Sequence, residues 1–309
     1  MHTETAKGLM FALAAYISWG FVPLYFKALE NIPESEILMH RVIWSVLFTG
    51  LILLGMKKFV SVWQHFRSPR TLLVLSAAAV FIAVNWVVFI WAANNDRMVD
   101  ASLGYYINPL VNVLFGLLFL GERLRRLQWV AVSLAVGGVL LQVVTLGRVP
   151  YIALTLAFAF GFYGLMRKIV KVGAIEGLFI ETLLLLPPVL VYLLFFSPAV
   201  SFHTALQSPP FALLLMAAGP ITSVPLLFFA AGVARLNYST IGFIQYLAPS
   251  IVLVMAVFWF HEPLVWQKEV TFACIWLGLA VYSVDTLRHS RRSRSRYRQA
   301  AESMVVSDQ

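Results

Sequence analysis

The chain has 309 residues, of which 61% are hydrophobic and only 12% are charged, and its formal net charge is +9. An ordinary soluble domain carries about 25% charged residues, so this composition excludes most soluble folds, and its apolar excess also excludes a disordered chain. The single cysteine, Cys274, can form no bridge within the chain and excludes a disulfide framework. The composition favours a protein that lies in a lipid bilayer.

Apolar runs of membrane-spanning length recur along the whole chain. A spanning helix needs about 20 mostly apolar residues, because a rise of 1.5 Å per residue then crosses the ~30 Å hydrocarbon layer. In chain order the runs predict ten helices, at 8–26, 36–55, 71–93, 100–120, 127–145, 149–166, 177–196, 211–232, 239–260 and 267–286. The first run resembles a signal peptide but is too long and is followed by nine others, so we predict that it stays uncleaved.

Basic residues predict the orientation of these helices, because lysine and arginine accumulate in cytoplasmic loops. With the N-terminus inside, 18 of the 23 basic residues fall on the cytoplasmic side, four fall on the other side, and Arg41 lies inside a span. A wrong number of helices would destroy this alternation. The charge pattern therefore predicts ten spans with both termini cytoplasmic.

The segment 288–309 is a basic tail that begins with RHSRRSRSRYR from Arg288. Serine–arginine runs can bind RNA, but directly after a last membrane helix they are more typical of an anchor that meets anionic lipid. We predict a disordered cytoplasmic tail that contacts the bilayer and no nucleic acid.

The chain also contains an internal repeat at an offset of 140 residues. Five residues of the first half fall on identical residues of the second: Tyr106, Pro109, Glu122, Leu124 and Gly138 on Tyr246, Pro249, Glu262, Leu264 and Gly278. The offset maps the first five helices onto the last five, and because five is odd the second half enters the membrane from the opposite side. The predicted fold is an all-α polytopic membrane protein of ten transmembrane helices, in two five-helix inverted-topology repeats at 1–146 and 147–287. Many secondary transporters have this architecture.

The same region carries a family resemblance. The segment ASLGYYINP at 101–109, followed by GERL at 121–124, resembles the EamA-type motif of the drug/metabolite transporter superfamily, and 245–249 with 262–264 form a degenerate second copy that lacks the Gly-Glu-Arg form. Segments 8–24 and 36–44 further resemble the RarD branch, often called chloramphenicol-sensitive protein. The resemblance spans essentially the whole chain. It implies a bacterial inner-membrane permease for small metabolites or drugs, with a cavity lined mainly by helices one, three, four, six, eight and nine, and it implies no particular substrate.

Two charged residues are predicted inside spans, Arg41 in the second helix and Glu181 in the seventh. They are repeat-equivalent, but inversion places them about 15–20 Å apart in depth, so we expect no salt bridge between them. Arg41 is a candidate for attracting anionic substrate groups or gating the outer mouth, and the alternative is that it snorkels to the interface. Glu181 is a candidate for coupling to protons, but an interfacial carboxylate near a helix N-terminus is also stabilised by the helix dipole.

The fourth helix has the largest set of polar side chains, at helical spacing on one face. Prolines in the fourth and ninth helices each free a backbone carbonyl, which is tolerated where protein or a watery cavity satisfies it. We predict an aromatic, amide-lined substrate cavity formed by Trp19, Arg41, Asn85, Trp86, Tyr105, Asn108, Asn112, Tyr163, Gln245 and Tyr246, with Pro109 and Pro249 as gating or kink positions. The alternative is that these side chains only hold the helices together. Glu122 and Glu262, at helix ends, are predicted to be structural caps.

Common catalytic and nucleotide-binding motifs are absent from the sequence. There is no Gly-x-x-x-x-Gly-Lys loop, so ATP is excluded as the energy source, and there is no HExxH or GxSxG motif. The six histidines are scattered without metal-ligand spacing. We therefore predict no cofactor, no metal and no enzymatic activity.

Together these features predict a secondary permease or exporter for small amphipathic metabolites or drugs. It would work by alternating access in the bacterial inner membrane, as a monomer or homodimer. A lipid-linked carrier or flippase is an alternative that favours a cleft open sideways to lipid. A receptor has no need of inverted halves, and an intramembrane enzyme needs converging acid, base or nucleophilic groups.

Overall fold

The computed structural model describes residues 2–95, 97–258 and 266–307. Within these ranges the regular structure is entirely α-helical. The helices are α1 (His2–Lys27), α2 (Glu34–Gly55), α3 (Phe59–Phe66), α4 (Pro69–Asn94), α5 (Met98–Phe119), α6 (Arg126–Leu146), α7 (Tyr151–Ile169), α8 (Ala174–Phe195), α9 (Val200–Gln207), α10 (Pro209–Met216), α11 (Ala218–Arg235), α12 (Tyr238–Gln245), α13 (Leu247–Phe258) and α14 (Trp266–Ser307).

Ten helical segments among the described residues are long and apolar enough to cross a bilayer, which confirms the predicted number. Eight of them are single helices. The eighth span consists of α10 and α11, and the ninth consists of α12 and α13. The fold is therefore the predicted all-α, ten-span membrane architecture.

Prolines explain why the eighth and ninth spans are each divided. Pro220 has no N–H to donate to the carbonyl of Met216, where α10 ends. Pro249 likewise cannot donate to the carbonyl of Gln245, where α12 ends. Both breaks fall in the second half of the chain, whereas the helix that contains Pro109 is continuous.

Two short helices, α3 and α9, were not predicted, and they occupy repeat-equivalent positions. At the start of α9, the carboxylate of Glu36 accepts hydrogen bonds from the backbone N–H of Val200 at 3.0 Å and of Ser201 at 2.6 Å. At the start of α3, the carboxylate of Glu176 pairs with Nζ of Lys58 at 3.2 Å. Glu36 and Glu176 are themselves 140 residues apart. Equivalent carboxylates thus anchor equivalent helices.

The described chain divides into two compact units, and the larger one, unit 1, contains residues 1–122 and 150–263. In unit 1, α1 packs against α11, and its repeat counterpart α7 packs against α4. The contact of α7 with α5 likewise corresponds to the contact of α1 with α13. The equivalent helices α2 and α8 pack against each other. These pairings are those that an inverted repeat requires.

Unit 2 contains residues 123–149 and 264–309, in which α6 packs against α14. The Thr271 hydroxyl donates to the carbonyl of Gly138 at 3.0 Å, and a Cβ at Gly278 would lie 2.8 Å from the carbonyl oxygen of Ala131. The equivalent glycines therefore permit the close approach of two helices, as small residues commonly do in membranes. Each unit takes helices from both halves of the chain, so the units are not the repeats 1–146 and 147–287.

The tail differs from its prediction. The sequence predicts disorder over 288–309, but α14 continues to Ser307. No glycine or proline follows Gly278, and arginine, glutamine, alanine and glutamate all favour helix. The repeat residues Glu262 and Leu264 lie outside the described residues.

Candidate functional site

Unit 1 has two ends, which we name by their residues. Its basic face carries Lys58, Arg67, Lys168 and Arg235, and its opposite face carries Glu36 and Ser201. The ammonium of Lys168 donates to the carbonyls of Val233 and Leu236, which joins the ends of α7 and α11 at the basic face. The candidate site lies between these two faces.

The Arg41 side chain points into the helix bundle, about 10 Å along α2 from its first residue by helical rise. Its Nε donates to the Thr222 hydroxyl at 3.0 Å. Its guanidinium lies 4.5 Å from the ring centroid of Trp86 and 5.7 Å from that of Phe26. Arg41 therefore does not snorkel to the interface; side chains of three other helices, α1, α4 and α11, contact it.

The Tyr105 side chain is exposed on a face of α5 that is otherwise buried. It is 50% exposed, although it lies two turns before Asn112 on the same face of α5, and Asn112 is fully buried. The other side of α5 carries Leu114 and Leu118, which are exposed as lipid-facing residues would be. We call the part of unit 1 around Arg41 and Tyr105 the open half, because Tyr105 is exposed there on a face of α5 that is buried further along, at Asn112.

The half nearer the basic face is closed by a buried ion pair. Nη1 of Arg167 lies 3.1 Å from Oε1 of Glu181, and the two side chains are 2% and 1% exposed. The hydroxyl of Tyr163 donates to Oε2 of Glu181 at 3.4 Å. Glu181 is therefore not an interfacial carboxylate stabilised only by a helix dipole, because a second charge from α7 lies against it.

Next to this ion pair a buried amide network joins α1, α5 and α12. Oε1 of Gln245 accepts from Nδ2 of Asn112 at 2.6 Å and from the hydroxyl of Tyr16 at 3.3 Å. The Oδ1 atoms of Asn108 and Asn112 are buried without a hydrogen-bond donor among the described residues. Buried acceptors of this kind are uncommon. Here the two amide oxygens are available to accept hydrogen bonds at the inner end of the open half.

Of the two predicted kink positions, Pro109 lies where α5 meets α12, and Pro249 lies in the first turn of α13. The hydroxyl of Tyr246 donates to the backbone carbonyl of Tyr106 at 3.2 Å. Pro109 leaves the carbonyl of Tyr105 without a helical donor, as Pro249 does for Gln245. A Cβ at Gly242 would lie 2.5 Å from the carbonyl oxygen of Pro109, so the two backbones touch here.

Two predicted cavity residues have contacts of a more structural kind. Nδ2 of Asn85 donates to the backbone carbonyl of Leu156 at 2.9 Å and ties α4 to α7. The Trp19 ring packs against Tyr16, Phe160 and Phe229 in an aromatic cluster at centroid distances of 5.3 to 5.7 Å. The other eight predicted cavity residues, together with Glu181, fall into the open half, the closed half or the α5–α12 contact.

The sequence interpretation missed three residues of the site. Arg167 lies just beyond the sixth predicted span, which ends at 166, whereas α7 continues to Ile169. Tyr25 and Thr222 carry no motif. Tyr25 also lines a cavity of about 350 Å³ between α1 and α11, whose other lining residues include Phe21, Ile221 and Pro225.

The site contains no group of three or more histidine, cysteine, aspartate or glutamate residues, within the described part of the chain, that could hold a metal ion. Its chemistry combines aromatic faces, amides, the Arg41 guanidinium and the Arg167–Glu181 ion pair.

Comparison with known proteins identifies the family of the chain. The EamA-like transporter family matches residues 6–144. An uncharacterised transporter of Pseudomonas aeruginosa is 51% identical over 287 residues, which cover 93% of this chain and 96% of the relative. Protein RarD of Escherichia coli is 46% identical over 290 residues, which cover 94% and 98%. One crystal structure, at 19% sequence identity, has a TM-score of 0.69 and covers 90% of this chain and 97% of that chain, and so shows the same fold. The chain is a multi-pass membrane transporter that belongs to the EamA-like transporter family, and its relatives over nearly the full length include proteins named RarD.

Proposed function

We propose that the protein is a secondary permease or exporter for small amphipathic metabolites or drugs, and that it works by alternating access. The substrate cavity is the open half of unit 1, around Arg41 and Tyr105. The closed half consists of the Arg167–Glu181 ion pair and the Gln245 network. Transport exchanges which half is open.

The observation that carries this proposal is a difference between repeat-equivalent residues. Tyr105 and Gln245 are 140 residues apart, yet Tyr105 is 50% exposed and Gln245 is 6% exposed. In the same way Arg41 borders the cavity, whereas its equivalent Glu181 is buried in an ion pair. In a protein built from inverted repeats, the two repeats can exchange conformations, and this exchange would open the cavity to the other face. The unequal exposure of equivalent residues supports one of two such states.

The cavity lining supports a substrate with an apolar or aromatic body and a polar group. Trp86 and Tyr105 offer ring faces, and Asn108 and Asn112 offer buried amide oxygens. Ligand sites of transporters and enzymes commonly combine an apolar lining with a few placed polar groups.

We also propose that the basic face is cytoplasmic and that the protein lies in the bacterial inner membrane with both termini inside. The excess of lysine and arginine on that face supports this orientation. The cavity then opens away from the cytoplasm, with the closed half toward it.

A lipid-linked carrier or flippase is a second candidate function, and the cavity between α1 and α11 favours it. Its lining is almost entirely apolar, and Phe21 at its edge is 50% exposed. A carrier for lipid-linked molecules would use such a cleft to admit an acyl chain from the side.

Transport by purified protein in liposomes tests the proposal and separates the two candidates. We expect a panel of labelled water-soluble amino acids, nucleosides and aromatic drugs to include a compound that crosses faster than through empty liposomes, without ATP. Transport of none of the panel, together with protein-dependent movement of a fluorescent lipid between leaflets, would replace the permease by the flippase. Comparing metabolite export by deletion and overexpression cells then identifies the natural compound.

A further inference from the structure

Arg41 carries a charge that unit 1 does not neutralise. The guanidinium has five N–H donors, and one of them is used by Thr222. Within the described part of the chain, the ion pairs join other residues, and none includes Arg41. Its equivalent in the second repeat, Glu181, has an arginine partner, Arg167. The open half therefore contains an unpaired cation where the closed half contains a complete pair.

An unpaired charge at this depth is costly, and such residues usually mark a substrate or ion pathway. The Trp86 face at 4.5 Å and the Phe26 face at 5.7 Å stabilise the cation only in part. They also fix its direction, because a guanidinium held against an aromatic face presents its N–H edge sideways. The partner that completes this site is an anion.

The surroundings of Arg41 define what the anion is attached to. The Phe26 ring lies 5.7 Å from the guanidinium, and its neighbour Tyr25 lines the apolar cavity of about 350 Å³ between α1 and α11. Thr222, which holds Arg41, is next to Ile221 of the same lining. On α4, Phe89 lies about one turn after Trp86, and its ring is 6.4 Å from that of Tyr105 between centroids. A cation thus borders apolar and aromatic surfaces within the reach of one small molecule.

We propose that Arg41 binds the carboxylate of an organic-acid substrate, with the apolar or aromatic body of that substrate against Trp86, Tyr105 and the α1–α11 cavity. This deepens the proposed permease function and depends on it. Arginine forms bidentate hydrogen bonds with planar carboxylates, and it keeps its charge in a partly buried site.

Matched pairs of acids and amides test this assignment, because they differ only in charge. The probes are phenylacetate and phenylacetamide, indole-3-acetate and indole-3-acetamide, and cinnamate and cinnamamide. Binding is measured by thermal stabilisation of the full-length protein in phosphatidylcholine nanodiscs, at several probe concentrations. We expect at least one acid to bind about 10- to 100-fold more tightly than its amide, as expected for a hydrogen-bonded charge.

Substitution of the arginine then locates the effect. In Arg41→Gln we expect the acid to bind no better than its amide, while Arg41→Lys keeps part of the preference. The matched control is Arg67→Gln, because the Arg67 guanidinium also lies over a tryptophan, Trp63 at 5.6 Å, but on the exposed basic face. Arg67→Gln should retain the full preference.

Three results would overturn the proposal. The first is equal binding of every acid and its amide by the unsubstituted protein, a measurement that needs no variant to fold. The second is an acid preference that survives Arg41→Gln, and the third is loss of that preference in nanodiscs with added phosphatidylglycerol, which would make a lipid headgroup the occupant. Binding is measured without transport. If the protein transports substrates but shows no preference for acids over amides, only the proposed substrate class is rejected. If it binds acids but transports nothing, the proposed permease function is rejected.

Discussion

The hydroxyl of Tyr246 donates a hydrogen bond of 3.2 Å to the backbone carbonyl of Tyr106, the residue that the 140-residue repeat makes its equivalent. A contact between equivalent residues lies at the axis that relates the two halves. Both tyrosines are buried, at 1% and 8% exposure, and each precedes a proline by three positions. The two halves thus meet at their own repeat motif, where α5 crosses α12.

Replacing Tyr246 by phenylalanine should weaken this crossing. The change removes one hydrogen bond and leaves the Tyr106 carbonyl short of a donor, at a cost of about 0.5–1.5 kcal/mol. We expect a lower Tm in detergent, measured by fluorescence-monitored unfolding. Tyr105→Phe is the control, since its ring is half exposed, and it should leave Tm unchanged. A fall in Tm for Tyr105→Phe alone would contradict this interpretation.

The Arg167–Glu181 pair should behave as a buried unit. Removing one partner leaves an uncompensated buried charge, so Arg167→Gln and Glu181→Gln should each destabilise the protein by about 3–5 kcal/mol. The double variant should be more stable than either single variant, because no unpaired charge remains. Thermal inactivation of all four proteins measures the coupling. The exposed Glu4–Arg235 pair is the control, and its removal should leave the inactivation temperature unchanged. Additive effects of the two buried substitutions would show that the charges are independent.

Glu122 should stabilise the start of α12. Its carboxylate accepts from the backbone N–H of Tyr238 at 2.5 Å and of Ser239 at 2.9 Å, which otherwise lack helical partners. Glu122→Ala should cost about 0.5–2 kcal/mol, and Glu122→Gln should cost less because one acceptor remains. The neighbouring Arg123→Ala is the control. Equal stability of Glu122→Ala and Arg123→Ala in a denaturation series would contradict the capping role.

Gly242 should be intolerant of any side chain. A Cβ there would lie 2.5 Å from the Pro109 carbonyl oxygen, which is backbone and cannot move aside without separating α5 from α12. Gly242→Ala should therefore lower Tm and folded yield. Gly137→Ala adds a methyl group where no atom lies within 4 Å and should be harmless. If both variants had the same yield and Tm, the close contact of α5 with α12 would be disproved.

The sequence predicts the spans and the repeat well because both depend on properties that a chain shows directly, namely apolar length and spacing. Arg41 and Glu181 are recognisable as charges inside apolar runs. Arg167 is not, because it lies at the end of its run, where a loop charge looks the same. Asn85 and Trp19 are polar or aromatic in the right spans, yet which neighbour each meets depends on helix crossings that periodicity does not specify.

The open cavity itself depends on a difference that no sequence shows. Tyr105 and Gln245 occupy equivalent positions, but only the arrangement of the helices exposes one and buries the other. The division of the eighth and ninth spans follows from Pro220 and Pro249, whereas the helix with Pro109 stays whole. Proline thus indicates where a helix is able to break, and packing decides whether it does.

Sided labelling of single cysteines tests alternating access most directly. In a Cys274→Ser background, Tyr105→Cys and Gln245→Cys are reconstituted separately in liposomes and treated with a membrane-impermeant maleimide from either side. Leu206→Cys, at 85% exposure, reports the opposite face, and Arg67→Cys reports the basic face. We predict that Tyr105→Cys reacts only from the side that labels Leu206→Cys. Gln245→Cys should react slowly and only from the side that labels Arg67→Cys, and a transported substrate should change the two rates in opposite directions. Labelling of both positions from one side, or of neither under any condition, would contradict alternating access through this cavity.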